Sequence, residues 1–171
     1  MEERKRPFPT FVLWLLVFTI SLLFLMVRCS SDIFAKEPPT LSVAADGAPL
    51  NWVMVRNVWN GETSAPEDPF LLYGQKIETP SHAAAGETVT VTIGGDIPDK
   101  VVLEEYALAP NGQSVYGERQ LLGEYPFYFN RKSGTFTLPE PGEHPVRGYV
   151  LRCFWGENNC DYGMIVQILP E

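Results

Sequence analysis

The chain has 171 residues, 45% of them hydrophobic and 20% charged, with 14 Gly and 15 Pro, a composition that suits one turn-rich globular domain and argues against intrinsic disorder. Two of the 21 acidic and four of the 13 basic residues lie at or before Arg28, which leaves 19 acidic against 9 basic side chains beyond it, a net charge of −10. A surface so acidic lacks the footprint of a nucleic-acid binder and repels polyanions, whereas cationic, neutral and protein partners stay open.

The first element is the uncharged run from Phe11 to Val27, preceded by Arg4, Lys5 and Arg6. Seventeen helical residues span about 26 Å, near the lower limit for crossing a bilayer. The basic flank assigns residues 1–10 to the cytoplasm, 11–27 to a single-pass transmembrane anchor, and everything after Arg28 to the extracytoplasmic side of the cell membrane. An uncleaved signal anchor is the expected fate. The alternatives are a cleaved signal, for which the run is long, and a lipoprotein signal acylated at Cys29. Arg28 stands where a lipoprotein signal carries a small residue, which argues against acylation.

Residues 28–40, with Pro38-Pro39, read as a linker, and the folded domain is expected over 41–171. Asn51 to Trp59 reads as the first strong strand, stopped by Asn60-Gly61, with a surface loop from Gly61 to Pro69. Thr88 to Ile93 alternates strictly and turns Val89, Val91 and Ile93 inward. Lys100 to Leu108 reads as a strand, with a turn at Asn111-Gly112 and a return strand from Ser114 to Gly117. Strands are also expected at Tyr125 to Phe129, Thr135 to Leu138, Val146 to Trp155 and Cys160 to Leu169. No helical period is sustained past the anchor. About eight short strands separated by Gly or Pro turns predict an all-β, immunoglobulin-like sandwich.

The last two strands carry the sharpest expectation. With Gly156 and Glu157 as the loop, Gly takes the first central position of a type II′ turn and Cys153 falls opposite Cys160. The same register puts Tyr149, Leu151, Cys153 and Trp155 on one apolar face with Cys160, Tyr162, Met164, Val166 and Ile168, and sets Arg152 against Asp161 on the other. An extracytoplasmic location then predicts a Cys153–Cys160 disulfide worth about 2.5 kcal/mol.

The segments IPDKVVLEEYAL (97–108), WNG (59–61) and RGYVLRCFWGENNCDYGMIVQI (147–168) resemble those of small membrane-anchored or lipoprotein-like envelope proteins of Gram-positive bacteria with a C-terminal hairpin of the GYxLRCxWGENxC kind. The resemblance implies location and fold, and no activity.

Chemistry is sparse. His82 and His144 are expected in exposed loops, outside any nucleophile or metal motif, so no catalytic residue and no cofactor is predicted. The acidic pairs Glu67-Asp68, Asp96 with Asp99, and Glu104-Glu105 are expected to be solvated surface. Asp96 and Asp99 are the best remaining metal candidates, without calcium-loop spacing. The run Tyr125-Pro126-Phe127-Tyr128-Phe129 places rings on both faces of a strand, and Trp52 and Trp59 point to opposite faces of theirs. Tyr125, Phe127, Tyr128, Trp52 and Trp59 are therefore the candidate binding surface. The expected function is a non-catalytic, membrane-tethered interaction module whose partner is another envelope protein. The alternatives are a domain binding a neutral carbohydrate or small solute, and an enzyme of unrecognised type.

Overall fold

A computed structural model describes residues 14–22, 37–64, 68–77, 79–109, 120–130 and 132–170. The chain divides into two units, 1–36 and 37–171. In the first, residues 14–22 form a helix, α1, whose apolar side chains are exposed on all sides, and the Thr19 hydroxyl donates to the Leu15 carbonyl at 2.7 Å. Among the described residues no helix is long and apolar enough to cross a membrane. The rest of the expected 11–27 span and Cys29 lie outside the described residues.

The second unit is a β-sandwich. Among the described residues its strands are β1 (Leu41–Ala45), β2 (Ala48–Pro49), β3 (Val53–Trp59), β4 (Glu62–Thr63), β5 (Ser81–Ala84), β6 (Thr88–Ile93), β7 (Lys100–Ala107), β8 (Gln120–Pro126), β9 (Ser133–Thr137), β10 (Val146–Trp155) and β11 (Asn158–Leu169). Helix α2 (Pro69–Lys76) lies between β4 and β5. One sheet has the order β2-β1-β6-β9; the other runs β4-β3-β11-β10-β7-β8, with β5 parallel to the end of β11.

The alternation read from Thr88 to Ile93 is realised: Val89, Val91 and Ile93 are at most 1% exposed and face Leu103, Leu151, Tyr162 and Met164 of the larger sheet. The final hairpin has the expected register, with Cys153 opposite Cys160 and Arg152 opposite Asp161. Gly156 has φ +57° while Glu157 is not left-handed, as a type II′ turn requires.

The disulfide is not formed. Both cysteines are fully buried free thiols, and the Cys160 thiol donates to the Val55 carbonyl of β3 at 3.1 Å. Register places two Cβ atoms opposite each other, but it does not by itself join the sulfurs, and the contact of Cys160 with a third strand lies outside a two-strand reading.

Other departures are local. Residues 37–40, expected as linker, are part of the sandwich: Pro38 is buried, Tyr162 Oη donates to the Pro39 carbonyl at 2.7 Å, and the Gly94 amide donates to the Thr40 carbonyl at 2.9 Å. The loop expected over 61–69 contains β4 and the start of α2, where Asp68 accepts from the amides of Phe70 and Leu71 and Pro69 opens the first turn. That helix covers the outer face of the larger sheet, burying Phe70 and Tyr73 against Val53, Val150 and Ile165. It sits close because two strand positions lack side chains. A Cβ on Gly148 would fall 2.5 Å from the Phe70 ring, and one on Gly163 2.6 Å from Pro69. The turn at 111–112 and return strand at 114–117 lie outside the described residues, and the strand expected at 125–129 ends at Pro126.

Candidate functional site

The two sheets end side by side at β8 and β9, the outermost strands of their respective sheets. Beyond Pro126 the chain leaves the ladder, and the Phe127 amide donates to the Val101 carbonyl at 3.1 Å, which drives the Phe127 side chain in between the sheets. Its ring lies against Gly134 of β9, where a Cβ would come 2.5 Å from it, and packs edge-on to Phe129 and Phe136 at centroid distances of 5.4 and 6.0 Å. Phe136 in turn tilts against Tyr149 at 5.1 Å. An aromatic seam thus closes this side of the sandwich, and on it lie two clefts of about 330 Å³ each.

The first cleft runs under the Ile97-to-Val101 segment and is bounded by Phe127, Tyr128 and Phe129. The second lies between β7, β8 and β9. Its walls are Tyr125, Pro126, Phe127, Phe136 and Tyr149, with the hydroxyls of Thr135 and Thr137 at the rim and the carboxylate of Glu105 inside. Glu105 shares the inward face of β7 with Leu103 and Ala107, so a charged group is held among apolar ones, with 15% of its side chain exposed. Tyr149 Oη donates to its Oε1 at 3.3 Å, and Arg147 Nε lies 3.9 Å from the same oxygen, beyond hydrogen-bond reach. Burial and the neighbouring carboxylate both raise the Tyr149 pKa, so the phenol stays protonated and keeps its donor role.

On the opposite face, Glu104 belongs to a separate network. Arg152 Nε sits 3.0 Å from Glu104 and 3.9 Å from Asp161, and Tyr106 Oη donates to Glu104 at 2.7 Å. Burial raises the Asp161 pKa, opposed by a hydrogen bond from Asn57 and by the charge of Arg152. The two glutamates do point to opposite faces, but neither is the solvated surface group expected: each is held by an arginine of β10.

The structure separates the candidate residues. Tyr125 and Tyr128 are exposed at 49% and 80%, while Phe127 is buried. Trp52, half-buried, packs edge-on to Tyr162 at 5.7 Å, and Trp59, buried, packs on Trp155 at 5.5 Å. Asp99 accepts the Gly156 amide at 2.7 Å and the Asp96 carbonyl accepts Trp155 Nε1 at 2.9 Å, so that loop braces the hairpin tip. Among the described residues no group of three or more potential metal ligands assembles. His82 lies on β5, exposed, rather than in a loop, and His144 is exposed in the turn before β10. Glu105, Phe136 and Tyr149 were missed as site residues. The signal was present in VVLEEYAL, where one carboxylate of the pair must occupy the inward face.

No family model matches the chain, and no curated protein matches it. Among solved structures it is similar to an engineered protein, at 14% identity over 53% of this chain and 18% of that one, with a TM-score of 0.37. It is also similar to a chitin binding domain from Burkholderia pseudomallei, at 7% identity over 56% of this chain and 60% of that one, with a TM-score of 0.38. The chain therefore spans less than two thirds of either.

Proposed function

We propose that the chain is a non-catalytic binding module of the cell envelope, held at the membrane by its N-terminal segment and presenting the β8–β9 cleft on the extracytoplasmic side. The cleft carries this reading: about 330 Å³ walled by aromatic rings around one carboxylate is the size and character of a pocket for a small solute or a single side chain of a protein partner. The tether is supported by the exposed, all-round apolar helix at 14–22 within the uncharged run and by the basic residues before it. An immunoglobulin-like sandwich is supported by strand order. β1-β6-β9 on one side and β7-β10-β11 on the other follow the A-B-E and C-F-G arrangement, with β3, β4 and α2 inserted after the first hairpin.

A photo-crosslinking phenylalanine analogue at Tyr125 of the full chain in its native membrane tests the site. It is expected to capture an envelope component that the same probe at Leu71, on the exposed side of α2, does not. Equal capture at both positions would refute the cleft as the binding site. Protease added to intact cells tests the topology; a sandwich degraded only after lysis would refute the extracytoplasmic assignment.

A further inference from the structure

Resting on the reading of the cleft as the binding site, we infer that its occupant is a primary alkylammonium group. Both contacts to the Glu105 carboxylate are made to Oε1, by Tyr149 Oη and, without a hydrogen bond, by Arg147 Nε. Oε2 takes no hydrogen bond among the described residues, and it is not among the polar atoms sealed from solvent without a partner, so a ligand in the cleft can reach it. An ionised carboxylate has about four lone-pair sites. This one uses a single long hydrogen bond.

The walls select the sign of the ligand. The rings of Tyr125, Phe127, Phe136 and Tyr149 line the same cleft as the carboxylate, and ring faces attract cations most strongly where water is excluded. The net charge of −10 beyond Arg28 adds a field that draws cations toward the sandwich and repels anions.

The geometry of the acceptor selects the kind of cation. A guanidinium binds carboxylates best through two parallel hydrogen bonds, one to each oxygen, whereas here Oε1 is already turned to Tyr149 and Arg147. An ammonium is a compact point donor that one oxygen satisfies, and Pro126 and the rings offer apolar contact to an unbranched alkyl stem behind it. A neutral sugar would instead need several fixed polar side chains, and beyond Glu105 the side chains lining the cleft offer it tyrosine and threonine hydroxyls.

Calorimetric titration of the full chain in detergent with n-butylammonium, n-butanol, butylguanidinium, methyl glucoside and a short peptide with one internal lysine tests this. Butylammonium is expected to bind at least about tenfold more tightly than butanol and more tightly than butylguanidinium, and Glu105→Gln is expected to lose about tenfold or more, the worth of a hydrogen bond to a charged group. A peptide that binds more tightly than butylammonium assigns the group to a protein partner, and the reverse assigns it to a free amine; both support the inference. Equal affinity for butanol and butylammonium, or an unchanged affinity in Glu105→Gln, overturns it. If Glu105→Gln does not fold, Tyr125→Ala at the exposed rim decides, and an unchanged ammonium affinity there overturns it. Binding of methyl glucoside without butylammonium refutes the ammonium alone. Absence of binding by every probe, with no capture at Tyr125, refutes the cleft as a site.

Discussion

The β10–β11 hairpin and the β8–β9 margin are built from similar residues and behave as opposites. In the hairpin, Tyr149, Leu151, Cys153, Cys160, Tyr162, Met164, Val166 and Ile168 are all at most 2% exposed, and their packing is shared by strands on both flanks and by the facing sheet. At the margin, Tyr125 and Leu121 are each 49% exposed and Tyr128 80%, and Glu105 keeps an oxygen without a hydrogen bond among the described residues. Packing is finished in the first region and left unfinished in the second. A ligand can add contacts only where the fold has not already made them, and the cleft, not the more regular hairpin, offers such a place.

The largest effect that separates the two regions is chemical. Burial pushes the Cys153 thiol up, and it pushes Cys160 up to about 11 despite the neighbouring Tyr162 hydroxyl, which opposes the shift. Thiolate is the reactive form, so at pH 8 the folded chain holds roughly one part in a thousand of Cys160 as thiolate, before burial blocks access. Alkylation at positions 153 and 160, read by mass spectrometry, is expected to be undetectable in the native state and complete at both after denaturation without reductant. Recovery of neither thiol until reductant is added would mean that the hairpin is bridged after all.

Next in size is the core itself. Leu151→Ala, at the centre of the inner face, is expected to cost about 2–5 kcal/mol in denaturant unfolding, whereas Tyr128→Ala, 80% exposed, is expected to change stability by less than ~0.5 kcal/mol. Similar costs at both positions would erase the contrast between hairpin and margin. Gly148→Ala probes the outer face of the same hairpin: the added methyl must displace the Phe70 ring, and overpacking of this kind costs about 1–3 kcal/mol.

The hairpin was legible in the sequence because one constraint, the period of two, fixes at once which residues face the core, which cysteines oppose, and where Arg152 meets Asp161. Helix α2 was legible in principle from Asp68-Pro69, an N-cap followed by proline, but the helix has only 8 residues and shows no long apolar period. The cleft was legible only in its parts. The aromatic run 125–129 points at the right strand end, yet the entry of Phe127 between the sheets depends on Gly134, and the pairing of Glu105 with Arg147 and Tyr149 depends on the order of β7 beside β10. Contacts between strands distant in sequence leave no local pattern. The bridge expected between Cys153 and Cys160 is not found, and the Cys160 thiol meets the Val55 carbonyl of β3, a contact between strands distant in sequence.

The smallest effect concerns the charge that the hairpin buries on its outer face. Asp161 has its pKa raised, chiefly by burial, from a reference value of 3.8, so the folded state holds its proton more tightly than the unfolded state does. A carboxylate shifted upward contributes stability while it is protonated, and that contribution is lost as pH rises from the reference value through the folded pKa. Arg152 recovers only part of the loss, because it lies 3.9 Å from Asp161 and 3.0 Å from Glu104, which already engages it. Asp161→Asn removes the titration and keeps the polar contact to Asn57. The variant is therefore expected to be as stable as the natural chain below about pH 3.8 and more stable by less than about 1 kcal/mol at pH 7. If Asp161→Asn is instead the less stable protein at neutral pH, Arg152 supports two carboxylates at once, and the outer face of the hairpin is held by an ion-pair network rather than by α2 packing alone.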